Sequence, residues 1–279
     1  MITGKIRKLA REIPQDLREV ESFIINDAYE NTERHIEEYD KLESSHNSRY
    51  VCTDLMKETY PVYCNSIESR RKYGGVVHNS CACLAAEVFE RKIKDPTIKK
   101  CIFLSGTPGA GKSYLIQSII FSGVLNQDVM VYEGDITTPT IKEKMQMVKD
   151  EGKDILVLVV NPTLELAETN AIRRYFEVGR SAPHAIIARI MSKLPGAIKE
   201  LHEEFNFSLG IYNKQTNYDI YNTVGFEEIE TLEHGTYDEI MEQLENLYQE
   251  LFPKIKEEYE SKNKSLGETE VQEYERKIK

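Results

Sequence analysis

The fold is decided by the stretch Cys101–Ser113, which reads CIFLSGTPGAGKS. Its first residues, Cys101–Leu104, form a short apolar run of the kind that becomes a buried strand. The pattern G-x-x-x-x-G-K-S follows at Gly106–Ser113, and Tyr114–Phe121 has the composition of a helix. A strand, a glycine-rich loop and a helix in this order are typical of a loop that binds phosphate groups.

Each fixed position of that loop has a physical role. Glycines let the chain turn so that its N–H groups point at phosphate oxygens, and the helix N-terminus adds partial positive charge there. We expect Lys112 to reach the β- and γ-phosphates of ATP and the Ser113 hydroxyl to hold Mg²⁺. The predicted cofactors are therefore ATP and Mg²⁺. The predicted nucleotide-binding residues are those of the whole loop: Gly106, Thr107, Pro108, Gly109, Ala110, Gly111, Lys112 and Ser113.

Composition narrows the class of protein. The 279 residues, 40% of them apolar, suffice for one α/β core with helical additions. A net charge of −11 argues against a nucleic-acid-binding surface. The sequence shows neither a transmembrane segment nor the apolar core of a signal peptide. The five cysteines have neither disulfide-framework nor metal-ligand spacing, so we expect reduced thiols in a cytoplasmic protein.

Strand-like and helix-like patterns alternate along the chain. This alternation predicts an α/β fold of P-loop NTPase type, with a mainly parallel sheet and helices on both faces. We predict a helical extension over residues 1–46, a kinase core over 47–230 and a C-terminal helical segment over 231–279. The strand patterns are Arg49–Asp54, Cys101–Leu104, Val129–Asp135, Asp154–Asn161 and a hairpin of Phe207–Asn213 with Tyr218–Asn222.

Other charged residues must decide what the loop does. Phosphoryl transfer needs a carboxylate to orient or deprotonate the acceptor hydroxyl, and cations to spread the charge of the moving group. Asp54 closes a predicted strand, where ligands collect in parallel sheets, so it is the candidate base. Arg174 and Arg180 are the candidate cations, since guanidinium groups match phosphate oxygens. The alternatives are a helix cap for Asp54 and solvated helix-end charges for the arginines.

One position departs from many phosphate-loop enzymes. The predicted strand Asp154–Asn161 closes with Asn161-Pro162, where those enzymes carry an aspartate on a second metal-binding strand. The second protein ligand of the metal is therefore left open.

Three segments carry a family resemblance. Tyr132-Glu133-Gly134 with Thr137-Thr138 resembles a strand ending in Glu-Gly-Thr, and Arg173-Arg174-Tyr175 with Gly179-Arg180 resembles a segment that supplies two phosphate-clamping arginines. Leu209–Asn213 with Tyr218–Tyr221 is similar to the hairpin that follows the arginine segment. Over residues 49–222 the chain thus resembles the zeta toxin family, the kinases of bacterial toxin–antitoxin systems that phosphorylate UDP-N-acetylglucosamine. The resemblance implies that Glu133 and Thr137 line the acceptor pocket and that helical antitoxins restrain the enzyme.

The order of the segments differs from that family. Its acceptor-binding aspartate follows the phosphate loop, in a pattern like Asp-x-[Phe/Leu]-[Lys/Arg]-x-x-His-Pro-x-[Tyr/Phe]. Here Asp54–Tyr63, DLMKETYPVY, matches that pattern ahead of the loop, with Tyr60 in place of the histidine. We therefore expect a rearranged strand order, with Asp54 and Lys57 in the acceptor site. Asp54 should then lie across one cleft from Lys112.

These observations predict an ATP-dependent small-molecule kinase. The family implies UDP-N-acetylglucosamine or a similar nucleotide-linked acceptor, but no residue selects it over NAD. The alternatives are a nucleotide-dependent regulatory ATPase and a polynucleotide 5′-kinase, which the acidic charge balance disfavours. Residues 1–46 read as a helical hairpin packed on the core, with an inhibitory segment as the alternative.

Overall fold

The computed structural model describes residues 2, 5–126, 128–180, 182–217 and 223–263. These residues form a mixed six-stranded sheet, mostly parallel, with helices around it, so the fold is α/β. The strands are β1 (Tyr50–Cys52), β2 (Lys100–Ser105), β3 (Val129–Glu133), β4 (Asp154–Pro162), β5 (Ser208–Lys214) and β6 (Thr223–Val224). Their order in the sheet is β1-β3-β2-β4-β5-β6. Strand β1 pairs parallel with β3 and β4 parallel with β5, whereas β5 and β6 are antiparallel.

The helices occupy most of the remaining described chain. They are α1 (Gln15–Glu30), α2 (Thr32–Lys41), α3 (Thr53–Met56), α4 (Pro61–Cys64), α5 (Ile67–Tyr73), α6 (His78–Ile93), α7 (Lys112–Phe121), α8 (Pro139–Asp150), α9 (Leu164–Val178), α10 (His184–Phe205) and α11 (Tyr237–Asn263). Short 3₁₀ turns cover Glu43–Ser45, Lys57–Thr59, Val124–Asn126 and Phe226–Leu232. No helix in the described ranges combines the length and the apolar character that crossing a bilayer requires.

The chain divides into two compact units. The first unit is Met1–Ile102 with Ile119–Gly134 and Lys144–Asp154, and the second is Phe103–Ser118 with Asp135–Glu143 and Ile155–Lys279.

In the first unit, the N-terminal helix α2 is hydrogen-bonded to β1. Ile24 and Ala28 on α1 and Tyr39 on α2 are buried. The Tyr39 hydroxyl donates to the carbonyl oxygen of Tyr50 at 2.7 Å and accepts from the N–H of Cys52 at 3.0 Å. One α2 side chain thereby satisfies two backbone groups of β1, which a buried strand requires.

In the second unit, α11 covers α9 and α10. Its apolar face contributes Ile240 and Leu244 to one buried cluster with Ala171, Ala188 and Met191. A second cluster joins α9 to the later turns of α11 through aromatic side chains, Tyr175, Phe176, Tyr248 and Phe252. Burial of this stripe explains why the predicted C-terminal helix forms over Tyr237–Asn263.

Several predicted boundaries need correction. Strand β1 ends at Cys52, and Asp54 lies in the first turn of α3 instead of closing the strand. Helix α10 continues through Pro195 without a break, because Met191, Leu194 and Ile198 are buried on its apolar face. Burial of that face outweighs the hydrogen bond that a proline removes. The predicted hairpin strand Tyr218–Asn222 lies outside the described residues, and the described antiparallel partner of β5 is β6.

Candidate functional site

The glycine-rich loop lies between β2 and α7 in the second unit. Gly106 and Gly109 have positive φ angles of 139° and 81°. A Cβ atom would lie 2.5 Å from the Val160 carbonyl oxygen at Gly106 and 2.3 Å from the Ala167 carbonyl oxygen at Gly109. Both positions therefore need glycine for conformation and for space.

Lys112 closes the loop on itself. Its ammonium donates to the carbonyl oxygens of Gly106 at 2.9 Å and Thr107 at 3.0 Å. Lys112 is also the first residue of α7, so a cation and a helix N-terminus meet at the same loop. The Asn170 side chain on α9 donates to the Gly109 carbonyl oxygen at 2.8 Å, which links the loop to α9. This combination can bind a chain of phosphate groups.

The loop also suits Mg²⁺ bound together with phosphate. Magnesium ions at such sites usually take one or two protein ligands and complete their shell with phosphate oxygens and water. The Ser113 hydroxyl is exposed in the first turn of α7 and would be that protein ligand. Among the described residues, no group of three or more His, Cys, Asp or Glu side chains could hold a metal ion.

Arg189, which sequence reasoning missed, fixes the segment after β3. Its guanidinium donates to Asp135 at 2.6 Å and to the Thr137 hydroxyl at 3.1 Å. The Thr137 N–H and hydroxyl donate to the same Asp135 carboxylate at 2.9 and 2.7 Å. The N–H of Ile136 donates to the Ser105 hydroxyl at 3.2 Å, next to the loop. The predicted acceptor residue Thr137 is thus held in a charged network beside the loop.

Asn161 serves as an anchor at the end of β4. Its amide donates to the Asn213 side chain at 2.7 Å and to the Thr231 carbonyl oxygen at 2.8 Å. Its oxygen accepts from His234 at 2.7 Å, and burial lowers the pKa of His234, which favours the neutral ring. The residue found in place of a metal-binding aspartate therefore joins β4, β5 and the 3₁₀ turn Phe226–Leu232.

The two candidate phosphate-clamping arginines flank the C-terminal cap of α9. Gly179 ends the helix in a left-handed conformation, and the N–H of Arg180 donates to the Arg174 carbonyl oxygen at 3.2 Å. Arg174 and Arg180 are both half-buried, and the cap holds their backbones close together. The neighbouring Arg173 instead pairs with Glu258 of α11 at the surface, at 3.3 Å.

In the first unit, Asp54 pairs with Lys57. The Lys57 ammonium lies 2.8 Å from the carboxylate of half-buried Asp54, and Lys57 itself is buried. Burial alone would lower the pKa of Lys57, but the Asp54 charge, with help from Tyr63, outweighs it and the pKa is raised. A second ion pair joins Glu58 and Arg70 at 2.6 Å. The cations of the two pairs both lie over the Tyr63 ring, Lys57 at 5.8 Å and Arg70 at 5.6 Å from its centroid.

Glu133 lies at the same edge of the sheet as Asp54. It is in register with Cys52 of β1 and accepts from the Tyr50 hydroxyl at 2.6 Å. Burial first, and then the carboxylates of Glu133 and Asp54, raise the pKa of the Cys52 thiol to about 12. Both carboxylates thus raise the pKa of the same thiol. The predicted acceptor residues Asp54, Lys57 and Glu133 therefore lie at the carboxyl ends of β1 and β3.

The predicted site residues are thus distributed over both units. The loop, Thr137, Arg174 and Arg180 belong to the second unit, whereas Asp54, Lys57 and Glu133 belong to the first. That the Asp54 carboxylate faces Lys112 across one cleft stays a prediction.

Comparison with known proteins gives a distant likeness. The chain matches no protein-family model and no curated protein at significant similarity. One solved structure similar to it comes from the PezAT chromosomal toxin–antitoxin system of the human pathogen Streptococcus pneumoniae. The match covers 60% of this chain and 95% of that chain, with 17% sequence identity and a TM-score of 0.38. A likeness this distant establishes neither family nor activity, so the function is proposed from the site itself.

Proposed function

We propose that this protein is an ATP- and Mg²⁺-dependent phosphotransferase that phosphorylates a hydroxyl group of a small, nucleotide-linked acceptor. UDP-N-acetylglucosamine is the acceptor that the zeta toxin resemblance implies. The observation that carries the proposal is the Gly106–Ser113 loop, in which two glycines make an otherwise forbidden turn and Lys112 closes that turn at the start of α7.

The loop supplies the nucleotide half of the reaction. Its N–H groups and the Lys112 ammonium bind the phosphates of ATP, and the Ser113 hydroxyl holds the metal. Mg²⁺, when bound, neutralises charge on the terminal phosphates. Arg174 and Arg180 neutralise the phosphoryl group as it moves.

Residues of the first unit, together with Thr137 of the second, supply the acceptor half. The acceptor oxygen forms a bond to the γ-phosphorus, the bond from that phosphorus to the bridging oxygen breaks, and ADP leaves. Asp54 takes the proton of the acceptor hydroxyl, and Lys57 keeps the Asp54 carboxylate charged by pairing with it. Glu133, Lys57 and Thr137 hold the acceptor in this scheme.

Incubation with ATP labelled at the γ-phosphate and a metabolite extract tests transfer. We expect label in a small organic molecule from the wild-type protein and none from Lys112→Ala. Label in free phosphate alone would identify a nucleotide-dependent ATPase and contradict the proposal.

Asp54→Asn separates binding from transfer. The amide keeps the shape of the side chain but cannot accept the proton, so ATP affinity should be retained and transfer should fall by about 100-fold or more. Asp16→Asn, at an exposed residue paired with Lys72, is the matched control. Substantial transfer by Asp54→Asn would remove Asp54 from the role of base.

A further inference from the structure

A second lysine lies against the phosphate loop. Lys214 is the last residue of β5, and only 2% of its surface is exposed. Its backbone is fixed by the parallel sheet, in register with Pro162 of β4, and its carbonyl oxygen accepts from the N–H of Thr163 at 3.0 Å. The side chain therefore leaves the sheet from a rigid position at the carboxyl end of a strand, where parallel sheets collect their ligands.

The Lys214 ammonium reaches the last turn of the loop. Its nitrogen lies 3.1 Å from the point that a Cβ on Gly111 would occupy, one residue before Lys112. It also lies 5.6 Å from the centroid of the Tyr114 ring, on the first turn of α7. The ammonium of this almost fully buried side chain therefore lies close to both the loop backbone and the Tyr114 ring.

Burial increases the distance over which the charge of Lys214 acts. A buried charge is screened less by water and salt than an exposed one, so its field extends through the loop to a ligand that it does not touch. Lys112 and the N-terminus of α7 supply positive potential at the same place. The interaction of Lys214 with a ligand should therefore grow with the number of negative charges that the ligand carries.

We propose that Lys214 is a positioning residue for polyphosphate: a buried cation behind the Gly106–Ser113 loop that raises the affinity of the loop in proportion to the ligand's charge. This inference rests on the proposed function, because it assigns a further residue to the same nucleotide site.

The test measures dissociation constants of the full-length protein for adenosine, ADP, ATP with Mg²⁺ and inorganic tripolyphosphate. For Lys214→Met we expect affinity for ATP and tripolyphosphate to fall about tenfold or more, ADP to be affected less, and adenosine to be unchanged. Because salt screens a buried charge little, the difference in ATP affinity between Lys214→Met and the wild type should persist when the salt concentration is raised. Lys254→Met, at an exposed lysine paired with Glu250 on α11, should match the wild type for every ligand.

A second variant keeps the test valid if Lys214→Met does not fold. Tyr114→Leu removes the ring that lies 5.6 Å from the ammonium and should let water screen its charge more, so we expect the same dependence on ligand charge with smaller losses. Equal losses for all ligands, adenosine included, would make Lys214 a structural strut and overturn the inference. Unchanged binding in both variants would also overturn it while leaving the proposed function intact. If the wild type binds neither ATP nor tripolyphosphate, the proposed function and this inference both fail.

Discussion

Gly109 and Gly196 give a matched pair of glycines in the second unit. Gly109 has a φ angle of 81° and no room for a Cβ, whereas Gly196 lies inside α10 with nothing within 4 Å of a Cβ. Gly109→Ala should therefore distort the loop and reduce ATP affinity by at least about tenfold. Gly196→Ala should leave ATP affinity unchanged and stabilise the protein by about 0.5–1 kcal/mol. Binding titrations and chemical denaturation of both variants check this.

For Gly109→Ala, a loss of ATP binding must be distinguished from unfolding of the protein. If Gly109→Ala binds ATP as tightly as the wild type, the loop does not shape the nucleotide site. If it loses binding only because the whole protein has unfolded, circular dichroism will show it.

Residues of the loop could be predicted because their partners are close in sequence. Lys112 donates to Gly106 and Thr107, which lie in the same short motif. Arg189 and Lys214 could not, because each acts through residues far along the chain: Arg189 through Asp135, and Lys214 through Gly111. Only the folded chain brings such pairs together.

At the scale of elements, α2 is linked to β1 by the hydrogen bonds of Tyr39. Tyr39→Phe would leave the Tyr50 carbonyl and the Cys52 N–H without this partner inside the protein. We expect a loss of about 1–3 kcal/mol in the free energy of unfolding. Tyr237→Phe, at an exposed tyrosine, should change it by no more than about 0.5 kcal/mol.

This variant also separates the two interpretations of residues 1–46. A packed hairpin predicts lower stability for Tyr39→Phe, measured by urea denaturation. Unchanged stability together with higher phosphotransferase activity would instead indicate an inhibitory segment.

Element types followed from the sequence more closely than element ends. The strand-like patterns in the sequence predicted each of the strands β1 to β5, because buried strands need apolar residues. The end of β1 was predicted too late because Asp54 continues into α3 and pairs with Lys57. The continuity of α10 through Pro195 could not be predicted, because the burial of its apolar face is a tertiary effect.

At the scale of the whole molecule, the strand that precedes Asp54 lies beside the strand that ends at Glu133. Strand β1 pairs parallel with β3 although the loop strand β2 separates them in sequence. The α/β class was predictable from composition and alternation. The division into two units was not, because it depends on contacts between segments distant in sequence.

Stability should depend on pH through histidines whose pKa is lowered in the folded protein, among them buried His35 and half-buried His234. Burial lowers the pKa of His234, and it lowers that of His35 by more than the Asp27 carboxylate raises it. Since the unfolded histidines titrate near pH 6.5, the unfolded state takes up protons first as the pH falls. The free energy of unfolding should therefore decrease from pH 7.5 to 5.5.

Denaturation at several pH values measures this dependence. In His234→Gln, the decrease between pH 7.5 and 5.5 should be smaller than in the wild type, because one of these groups is gone. An equal decrease in both proteins would show that His234 does not contribute.

Calorimetric titration of MgATP into the wild type and Lys112→Ala tests the central claim most directly. If the Gly106–Ser113 loop is the phosphate cradle, the wild type binds at one site and the variant binds at least about tenfold more weakly, because a charged contact with phosphate is lost. Equal affinities in the two proteins, or no binding by the wild type, would contradict a nucleotide site at this loop.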